Sequence, residues 1–413
     1  MLSALVSVRS LLLAIFMLMA GGGFMSTLIA VKLEQAGRGA LVVGVVGTAY
    51  FFGLVLGSTR AGRVVARVGH IRAFAAFVSL FSASTLSYAV YQHPAFWAGL
   101  RLTDGVCVAG VYVCLESWLN ERAEAEARGT VLAGYMICLY VGQALGQFLL
   151  NLSDNSPAMP FVVAAILISL SAIPVALTRI SAPAPIGAEP LSVRELFAIS
   201  PLGIVGATIT GLMLGAFYSL GALYARRLGM ELSSVAVFMS TVIFGGVALQ
   251  WPLGLLSDRF DRRRVIVSAF AGAAVAGVGL ALIAVPGPAL LALGAMFGGL
   301  SFALYPLCVA HANDHLQPEQ RIAASGRLVL AYSAGAATGP LGAAVVMTAA
   351  GAPGLFLFIA ICAGGALLFG LWRQLRALPI PADLQQDYQI LPRTTPMSAA
   401  LDPLAPEEQQ EAS

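Results

Sequence analysis

The chain has 413 residues, of which 59% are hydrophobic and only 10% are charged. Soluble domains carry about 25% charged residues, so this composition disfavours a soluble enzyme. The net charge of +3 is small and scattered along the chain, which argues against nucleic acid as a partner. The composition favours an all-α membrane protein whose main environment is the lipid bilayer.

Apolar stretches long enough to cross a bilayer recur along the chain, and they predict twelve transmembrane helices. The stretches are helices because lipid offers no hydrogen-bond partners to an open backbone. In the first half they cover residues 10–32, 41–60, 71–91, 95–118, 128–151 and 159–178. In the second half they cover residues 201–225, 233–256, 265–285, 288–312, 323–349 and 353–372.

The less apolar segments divide the chain into four parts. Residues 1–180 are predicted to form an N-terminal six-helix bundle, and residues 201–376 a C-terminal six-helix bundle. Residues 181–200 form a cytoplasmic linker that begins with a Pro-rich stretch. Residues 377–413 are rich in Pro, Gln and acidic side chains, which predicts a disordered cytoplasmic tail.

The basic residues predict the orientation in the membrane. If both termini are cytoplasmic, 18 of the 23 Lys and Arg residues lie on the cytoplasmic side and 4 on the outer side. Cytoplasmic loops of bacterial inner-membrane proteins carry this kind of excess. We therefore expect a multi-pass membrane protein with both termini in the cytoplasm.

The two halves of the chain share residues at a nearly constant spacing. Gly53 corresponds to Gly245 at an offset of 192, and Gly105 corresponds to Gly298 at an offset of 193. Helical similarity alone would not fix the offset, so the match predicts two pseudo-symmetric six-helix bundles. Such a repeat places a cavity between the halves, which rocking of one half opens to alternate sides.

The segment after the eighth predicted span has a Gly, an Asp four residues later and then a basic cluster. It reads Gly254-Leu-Leu-Ser-Asp258-Arg259-Phe-Asp261-Arg262-Arg263. The pattern resembles the loop motif of the major facilitator superfamily. An Asp can cap a helix N-terminus and an Arg can bind carboxylates, so the segment predicts a conformational latch. The alternative is a loop that only fixes orientation.

The first half carries an incomplete version of this motif. Arg67 stands where Arg259 stands in the second half, but Ala66 replaces the Asp. We assign the latch to Gly254, Asp258, Arg259, Arg262 and Arg67.

Three charged residues fall within the fourth span. Arg101 and Asp104 lie at i, i+3 on one helical face. The Arg-x-x-x-Gly spacing of Arg101 and Gly105 resembles the fourth-helix motif of the superfamily, whose Arg is often linked to proton coupling. An intramembrane charged pair suggests a functional site, here proton coupling, although a self-neutralising structural pair is the alternative. Glu116 needs a partner in the membrane, and we expect Arg67 or Arg72, with proton binding as the other option.

Polar and aromatic residues on several spans are candidates for the wall of the central cavity. Each of them alone is more often a packing residue, and the repeat is what makes the set informative. The candidates are Tyr112, Tyr140, Gln143, Gln147, Tyr218, Gln250, Trp251, Tyr305 and Tyr332.

Motifs for bound metals and nucleotides are weak or absent in the sequence. His311 and His315 have the i, i+4 spacing of a metal-binding pair, but no third ligand is evident. No G-x-x-x-x-G-K-[ST] phosphate loop occurs, which disfavours an ATP-driven pump. We therefore expect no enzyme activity, no cofactor and no resident metal.

Longer stretches resemble the YcaD-like bacterial inner-membrane branch of the major facilitator superfamily. They are Leu115-Glu116-Ser117-Trp118-Leu119, Arg128-Gly129, Ala133-Gly134-Tyr135-Met136, Gln250-Trp251-Pro252 and Ala303-Leu304-Tyr305-Pro306. The resemblance covers roughly residues 10–375. It implies a twelve-helix alternating-access carrier and does not imply a substrate.

These observations predict a monomeric secondary active transporter of a small organic solute, with proton coupling as an option. Three alternatives remain open: an uncoupled facilitator, a receptor or assembly factor with the carrier fold but no flux, and a metal importer.

Overall fold

The computed structural model describes residues 2–122, 127–154, 156–177, 191–283, 285–317, 320–376, 385–386 and 388–395. Within these ranges the chain forms sixteen α-helices and one 3₁₀ helix, Gln147–Asp154. The N-terminal helices are α1 (Leu2–Ser7), α2 (Arg9–Gly22), α3 (Met25–Gln35), α4 (Ala40–Val68), α5 (His70–Val90), α6 (Pro94–Arg122), α7 (Arg128–Gly146), α8 (Met159–Leu170) and α9 (Ala172–Ala176). The others are α10 (Val193–Ile199), α11 (Pro201–Arg227), α12 (Leu232–Arg259), α13 (Arg262–Leu282), α14 (Pro288–Asn313), α15 (Arg321–Ala350) and α16 (Gly354–Arg376).

In this part of the chain, twelve helical stretches are long and apolar enough to cross a membrane, as predicted. The first joins α2 to α3, the fifth joins α7 to the 3₁₀ helix, and the sixth joins α8 to α9. The second was predicted to end near residue 60, but α4 continues to Val68. The added turns carry exposed arginines that can lie in water, and the helix stops at Gly69, whose φ of +86° disfavours other residues.

Glycines at corresponding positions bring corresponding helices together in the two halves. In the N-terminal half, a Cβ added at Gly53 would lie 2.2 Å from the carbonyl oxygen of Leu102, so α4 and α6 touch through backbone. In the C-terminal half, a Cβ added at Gly245 would lie 2.2 Å from the carbonyl oxygen of Ala295, so α12 and α14 cross in the same way. Only glycine permits such approaches. The predicted all-α fold of two pseudo-symmetric six-helix bundles is confirmed.

The two halves meet at the end of the bundle opposite the described tail. The Thr48 hydroxyl donates to the carbonyl of Ala337 at 2.9 Å, and the Ser240 hydroxyl donates to the carbonyl of Ala144 at 2.7 Å. Further out, Arg226 and Glu34 form an ion pair of 3.4 Å between α11 and α3. These contacts close the space between the halves at that end.

The described part of the linker and tail lies at the other end. Helix α10 begins at a capping box in which Ser192 accepts from the Glu195 amide and Glu195 accepts from the Ser192 amide. Residues 178–190, which include the Pro-rich stretch, lie outside the described residues. In the tail, the prediction of disorder does not hold for residues 388–395, because Leu391 and Thr395 are 5% and 0% exposed between the halves. The rest of the tail, apart from residues 385 and 386, lies outside the described ranges.

Candidate functional site

A cavity of about 120 Å³ lies between the two halves, near the middle of the bundle. Both halves contribute to its wall, since Tyr140 and Gln143 come from α7, Tyr218 from α11 and Tyr332 from α15. The Tyr218 hydroxyl donates to the side-chain oxygen of Gln143 at 3.4 Å and so joins the halves across the cavity. Residues Pro392, Arg393 and Thr394 of the tail fill its opening toward the termini.

Arg101 is the charged residue that the fourth span contributes to the cavity wall. Its guanidinium donates to the Ser26 hydroxyl at 2.6 Å and lies over the Tyr50 ring at 4.0 Å from the centroid. It also forms an ion pair of 3.6 Å with Asp104. These contacts fix the guanidinium at the edge of the cavity, and Asp104 balances its charge.

Asp104 is fully buried and lies behind Arg101, away from the cavity wall. Its two carboxylate oxygens accept from the Ser84 and Tyr88 hydroxyls, each at 2.6 Å. Three partners therefore saturate the carboxylate, as a buried charge requires. This geometry suits a residue that holds Arg101 in place.

The predicted cavity residues separate into two groups. Tyr112, Tyr140, Gln143, Tyr218 and Tyr332 lie on the cavity wall.

The other four predicted residues lie elsewhere. Gln147, Gln250 and Tyr305 are buried in helix contacts, where Gln250 donates to the Phe302 carbonyl at 3.4 Å and Tyr305 packs on Tyr332. Trp251 is 65% exposed and does not line the cavity. One residue along a helix turns the side chain by about 100°, so an inward Gln250 directs Trp251 outward.

Glu116 is buried on α6 with partners other than those predicted. Its carboxylate accepts from the Tyr135 hydroxyl at 3.1 Å and from the hydroxyls of Thr394 and Thr395 in the tail. The expected pairing with Arg67 or Arg72 is wrong, because both arginines are exposed and point toward water. The tail satisfies the carboxylate instead.

The C-terminal half contains a buried charge cluster in the segment that resembles the loop motif. Arg262 is 1% exposed and donates to both oxygens of Asp314 at 2.7 Å and to Asp258 at 3.0 Å. The side chain of Asp261 caps α13 by accepting from the Arg263 amide at 3.0 Å. The arginine therefore ties the ends of α12, α13 and α14 together, and all three lie in one half.

Two of the predicted latch residues lie outside this cluster. Arg259 and Arg67 are exposed, and among the described residues neither forms an ion pair. Gly254 contributes to the cluster by making room for the tail, because a Cβ at this position would lie 2.2 Å from the Tyr388 ring. The glycine leaves room for that ring beside α12.

The tail attaches to the same cluster through its backbone. The amide of Gln386 donates to Asp314 at 2.9 Å, and the amide of Tyr388 donates to Asp258 at 2.9 Å. The carbonyl of Gln386 accepts from Arg262. Burial raises the pKa of the Asp314 carboxyl, and the Arg262 charge offsets part of that effect.

Farther along the tail, the Arg393 guanidinium enters a group of aromatic rings. Its central carbon lies 4.6 Å from the Phe302 centroid, 5.5 Å from that of Tyr332 and 5.9 Å from that of Tyr140. The guanidinium also donates to the Tyr218 hydroxyl at 3.5 Å. These four side chains form the aromatic cage, and three of them line the central cavity.

The two histidines with metal-ligand spacing lie at the end of α14. Their rings are 4.8 Å apart, and a His315 ring nitrogen contacts the His311 carbonyl oxygen at 2.9 Å. In the described residues no cluster of three or more His, Cys, Asp or Glu side chains has the arrangement of a metal site.

Sequence reasoning missed several residues of this region. Ser26, Tyr50 and Ser333 line the cavity but have no feature that separates them from packing residues. Asp314 lies one residue beyond the tenth span, and only its distance in space from Arg262 reveals its role. Arg393 belongs to a segment whose composition gives no sign of structure.

Comparisons with known proteins agree with this architecture. A sequence model of the Major Facilitator Superfamily matches residues 11–302 and, in a second match, residues 205–398. The MFS-type transporter YcaD of Salmonella enteritidis is 29% identical to the chain over 357 residues, which cover 86% of the chain and 92% of that relative. The YcaD protein of Salmonella arizonae is 30% identical with the same coverage.

Solved structures with the same fold are more distant in sequence. The nucleoside transporter NupG aligns with a TM-score of 0.76 and 12% identity, covering 89% of this chain and 99% of that structure. A bacterial homologue of the human lysosomal transporter Spinster, in an inward-facing and occupied conformation, aligns with a TM-score of 0.70 and 15% identity over 90% and 97% of the two chains. At these identities the similarity shows the fold alone. With the YcaD matches, it confirms the resemblance predicted from the motifs.

Proposed function

Because the chain belongs to the Major Facilitator Superfamily and is a transporter of that family, we propose that it is a secondary active transporter of a small organic solute. The observation that supports this proposal is the cavity between the halves. Contacts between the two halves close the cavity at the end opposite the termini. A solute site between two rocking bundles is what alternating access requires.

The proposal includes an orientation and a domain plan. The excess of basic residues on the side of the termini supports a cytoplasmic location for both of them. Residues 1–180 and 201–376 act as the two moving bundles, joined by the linker 181–200. With that orientation, the cavity faces the cytoplasm and the tail lies in its mouth.

Arg101 is the residue to which we assign direct solute contact. It lines the cavity, and its guanidinium is held by Ser26, Tyr50 and Asp104. A fixed guanidinium offers oriented hydrogen-bond donors without further loss of side-chain freedom. Asp104 acts as a positioning residue, since its oxygens are occupied by Ser84, Tyr88 and Arg101.

Glu116 and Asp104 are the two carboxylates to which proton coupling can be assigned. We favour Glu116, because the groups that cover it belong to the tail as well as to α7 and would leave with the tail. Asp104 is enclosed by its own half of the molecule. Arg262, Asp258 and Gly254 form the latch that holds the cytoplasmic ends of α12, α13 and α14.

Transport is tested by reconstitution. A thermal-shift screen of purified protein identifies solutes that raise its stability by mass action, and each hit is then labelled for counterflow in proteoliposomes. We expect saturable uptake that a trans gradient stimulates and that Arg101→Ala abolishes, with Arg38→Ala as an exposed control. Binding without counterflow would instead favour a receptor with the carrier fold.

Coupling is tested separately with the same vesicles. A pH gradient should drive accumulation in the unmodified protein and in Asp104→Asn, while Glu116→Gln should retain counterflow but lose accumulation. If neither substitution changes the pH-driven step, the assignment to Glu116 is wrong. If the pH gradient has no effect on any of the proteins, the uncoupled facilitator is the better description.

A further inference from the structure

The chain's own Arg393 reveals what kind of group the aromatic cage accepts. Its guanidinium lies within 4.6–5.9 Å of the centroids of the Phe302, Tyr332 and Tyr140 rings. It forms no ion pair with any described residue, so its charge is balanced by ring faces and by the Tyr218 hydroxyl. Such a surround is the usual recognition site for diffuse organic cations.

The charges around the cavity favour the same kind of ligand. Arg101 and Arg393 are the charged residues among the described residues that line it. The charge of Arg101 is balanced by Asp104 at 3.6 Å, so the tail contributes the unbalanced cation. When the tail leaves, the cage loses the Arg393 cation and the Glu116 carboxylate loses the Thr394 and Thr395 donors.

The tail also enters the cavity as a tethered segment with several attachment points. Its amides at Gln386 and Tyr388 bind Asp314 and Asp258 of the C-terminal half, and its threonines bind Glu116 of the N-terminal half. A tethered group competes at a high effective concentration. Arg393 therefore occupies the cage more fully than a free guanidinium of equal affinity would.

We propose that the aromatic cage of Tyr140, Tyr218, Phe302 and Tyr332 is a binding site for a monovalent organic cation, for which Arg393 is a tethered competitor. The inference rests on the proposed function, because it treats the cage as part of the solute cavity. It adds a substrate class, namely solutes with a planar or quaternary cationic group that enters the cage and a separate acceptor group that meets Arg101.

Calorimetry on the full chain in lipid nanodiscs tests the cage directly. The probes are phenylguanidinium and phenylurea, which share a planar shape and differ in charge. We expect Arg393→Ala to bind phenylguanidinium on the order of tenfold more tightly than the unmodified protein does. Arg393→Lys keeps a tethered cation and is the matched control, so its affinity for the probe should stay near that of the unmodified protein.

The rings are tested in the Arg393→Ala background. Phe302→Leu removes the nearest ring face and should weaken phenylguanidinium binding roughly 3- to 30-fold. Tyr332→Phe keeps its ring and should change the affinity little. If Phe302→Leu does not yield folded protein, Tyr332→Leu takes its place and should also weaken binding.

Two results would overturn the proposal: equal binding of phenylguanidinium and phenylurea, or binding of neither to Arg393→Ala. Failure of the cation site is distinguishable from failure of transport, because calorimetry reports the cage and counterflow reports flux. Cation binding without counterflow would support the cage and contradict the proposed transport function. Counterflow of a neutral solute without any cation binding would support transport and contradict the proposal that the cage binds cations.

Discussion

The segments after the second and eighth spans occupy equivalent places in the two halves but differ in their surroundings. In the C-terminal half, Arg262 is buried between Asp258 and Asp314. In the N-terminal half, Arg67 and Ala66 are exposed on the last turns of α4. The difference involves two positions, since Ala66 stands at an offset of 192 from Asp258 and His70 stands at the same offset from Arg262. The same motif position therefore forms a buried ion-pair cluster in the C-terminal half, which we call the closed corner. In the N-terminal half it forms an exposed helix end, which we call the open corner.

The tail lies against the half with the closed corner. Two of its backbone amides donate to the carboxylates of Asp258 and Asp314, which are already oriented by Arg262. An exposed alanine at position 66 offers no such acceptor. The backbone amides of the tail therefore bind the C-terminal bundle, while Arg393 and the threonines farther along it contact Tyr140 and Glu116 of the other bundle.

Breaking the buried corner should have the largest effect. In Arg262→Leu, the Asp314 side chain, which is 2% exposed, keeps its charge without a cationic partner. Removing one member of a buried ion pair costs about 3–5 kcal/mol. We expect that loss in the free energy of unfolding, measured by titration with a denaturing detergent, and a clear fall in Tm.

Arg259 provides the control, because it ends α12 three residues before Arg262 but is exposed. Arg259→Leu should change stability by no more than about 0.5 kcal/mol. The double variant Arg262→Leu with Asp314→Leu should recover most of the loss, since an apolar pair replaces a buried ionic one at little cost. Equal losses in Arg262→Leu and Arg259→Leu would contradict the importance of the corner.

A moderate effect is expected from releasing the tail. In Asp258→Ala, the Tyr388 amide loses its acceptor and Arg262 keeps only Asp314 as an ionic partner. A hydrogen bond to a charged group contributes about 1.5–3 kcal/mol, so the tail should leave the cavity at least tenfold more often. The measurement is the labelling rate of Ser333→Cys, on the cavity wall, by a charged maleimide.

The labelling experiment includes its own control proteins. The unmodified protein, with its five native cysteines, gives the background rate. Asp258→Asn can still accept from the Tyr388 amide and should label at an intermediate rate. A rate for Asp258→Ala equal to that of the parent Ser333→Cys protein would show that this carboxylate does not hold the tail.

Much of the fold was predictable because it depends on local composition. The twelve apolar stretches and the constant offset of glycines gave the number of helices and their pairing, and the Cβ positions at Gly53 and Gly245 agree. The repeat also predicted a cavity between the halves, and the polar aromatic residues Tyr112, Tyr140 and Tyr218 of the spans lie on its wall.

The partners of the buried charges were not predictable. Glu116 was expected to pair with an arginine nearby in the chain, but its partners Thr394 and Thr395 lie almost 280 residues away. Trp251 was misplaced because a span gives the helix and not its rotation. The tail lacks the apolar periodicity that reveals a helix. It is held by backbone amides and one guanidinium, and amino-acid composition does not reveal such contacts.

The smallest effect is expected from giving the open corner the residues of the closed one. Ala66→Asp with His70→Arg reproduces the spacing of Asp258 at the end of α12 and Arg262 at the start of α13, but position 66 is exposed. Position 66 lies on α4 and position 70 begins α5. An exposed ion pair adds about 0.2–1 kcal/mol, so unfolding by detergent should shift only slightly and the protein should still insert and fold. Ala66→Asn with His70→Arg is the uncharged control. A gain above about 2 kcal/mol would mean that burial follows from the pair itself. Burial would then no longer be a separate property of the C-terminal half, and the asymmetry between the corners would reduce to the two side chains at these positions.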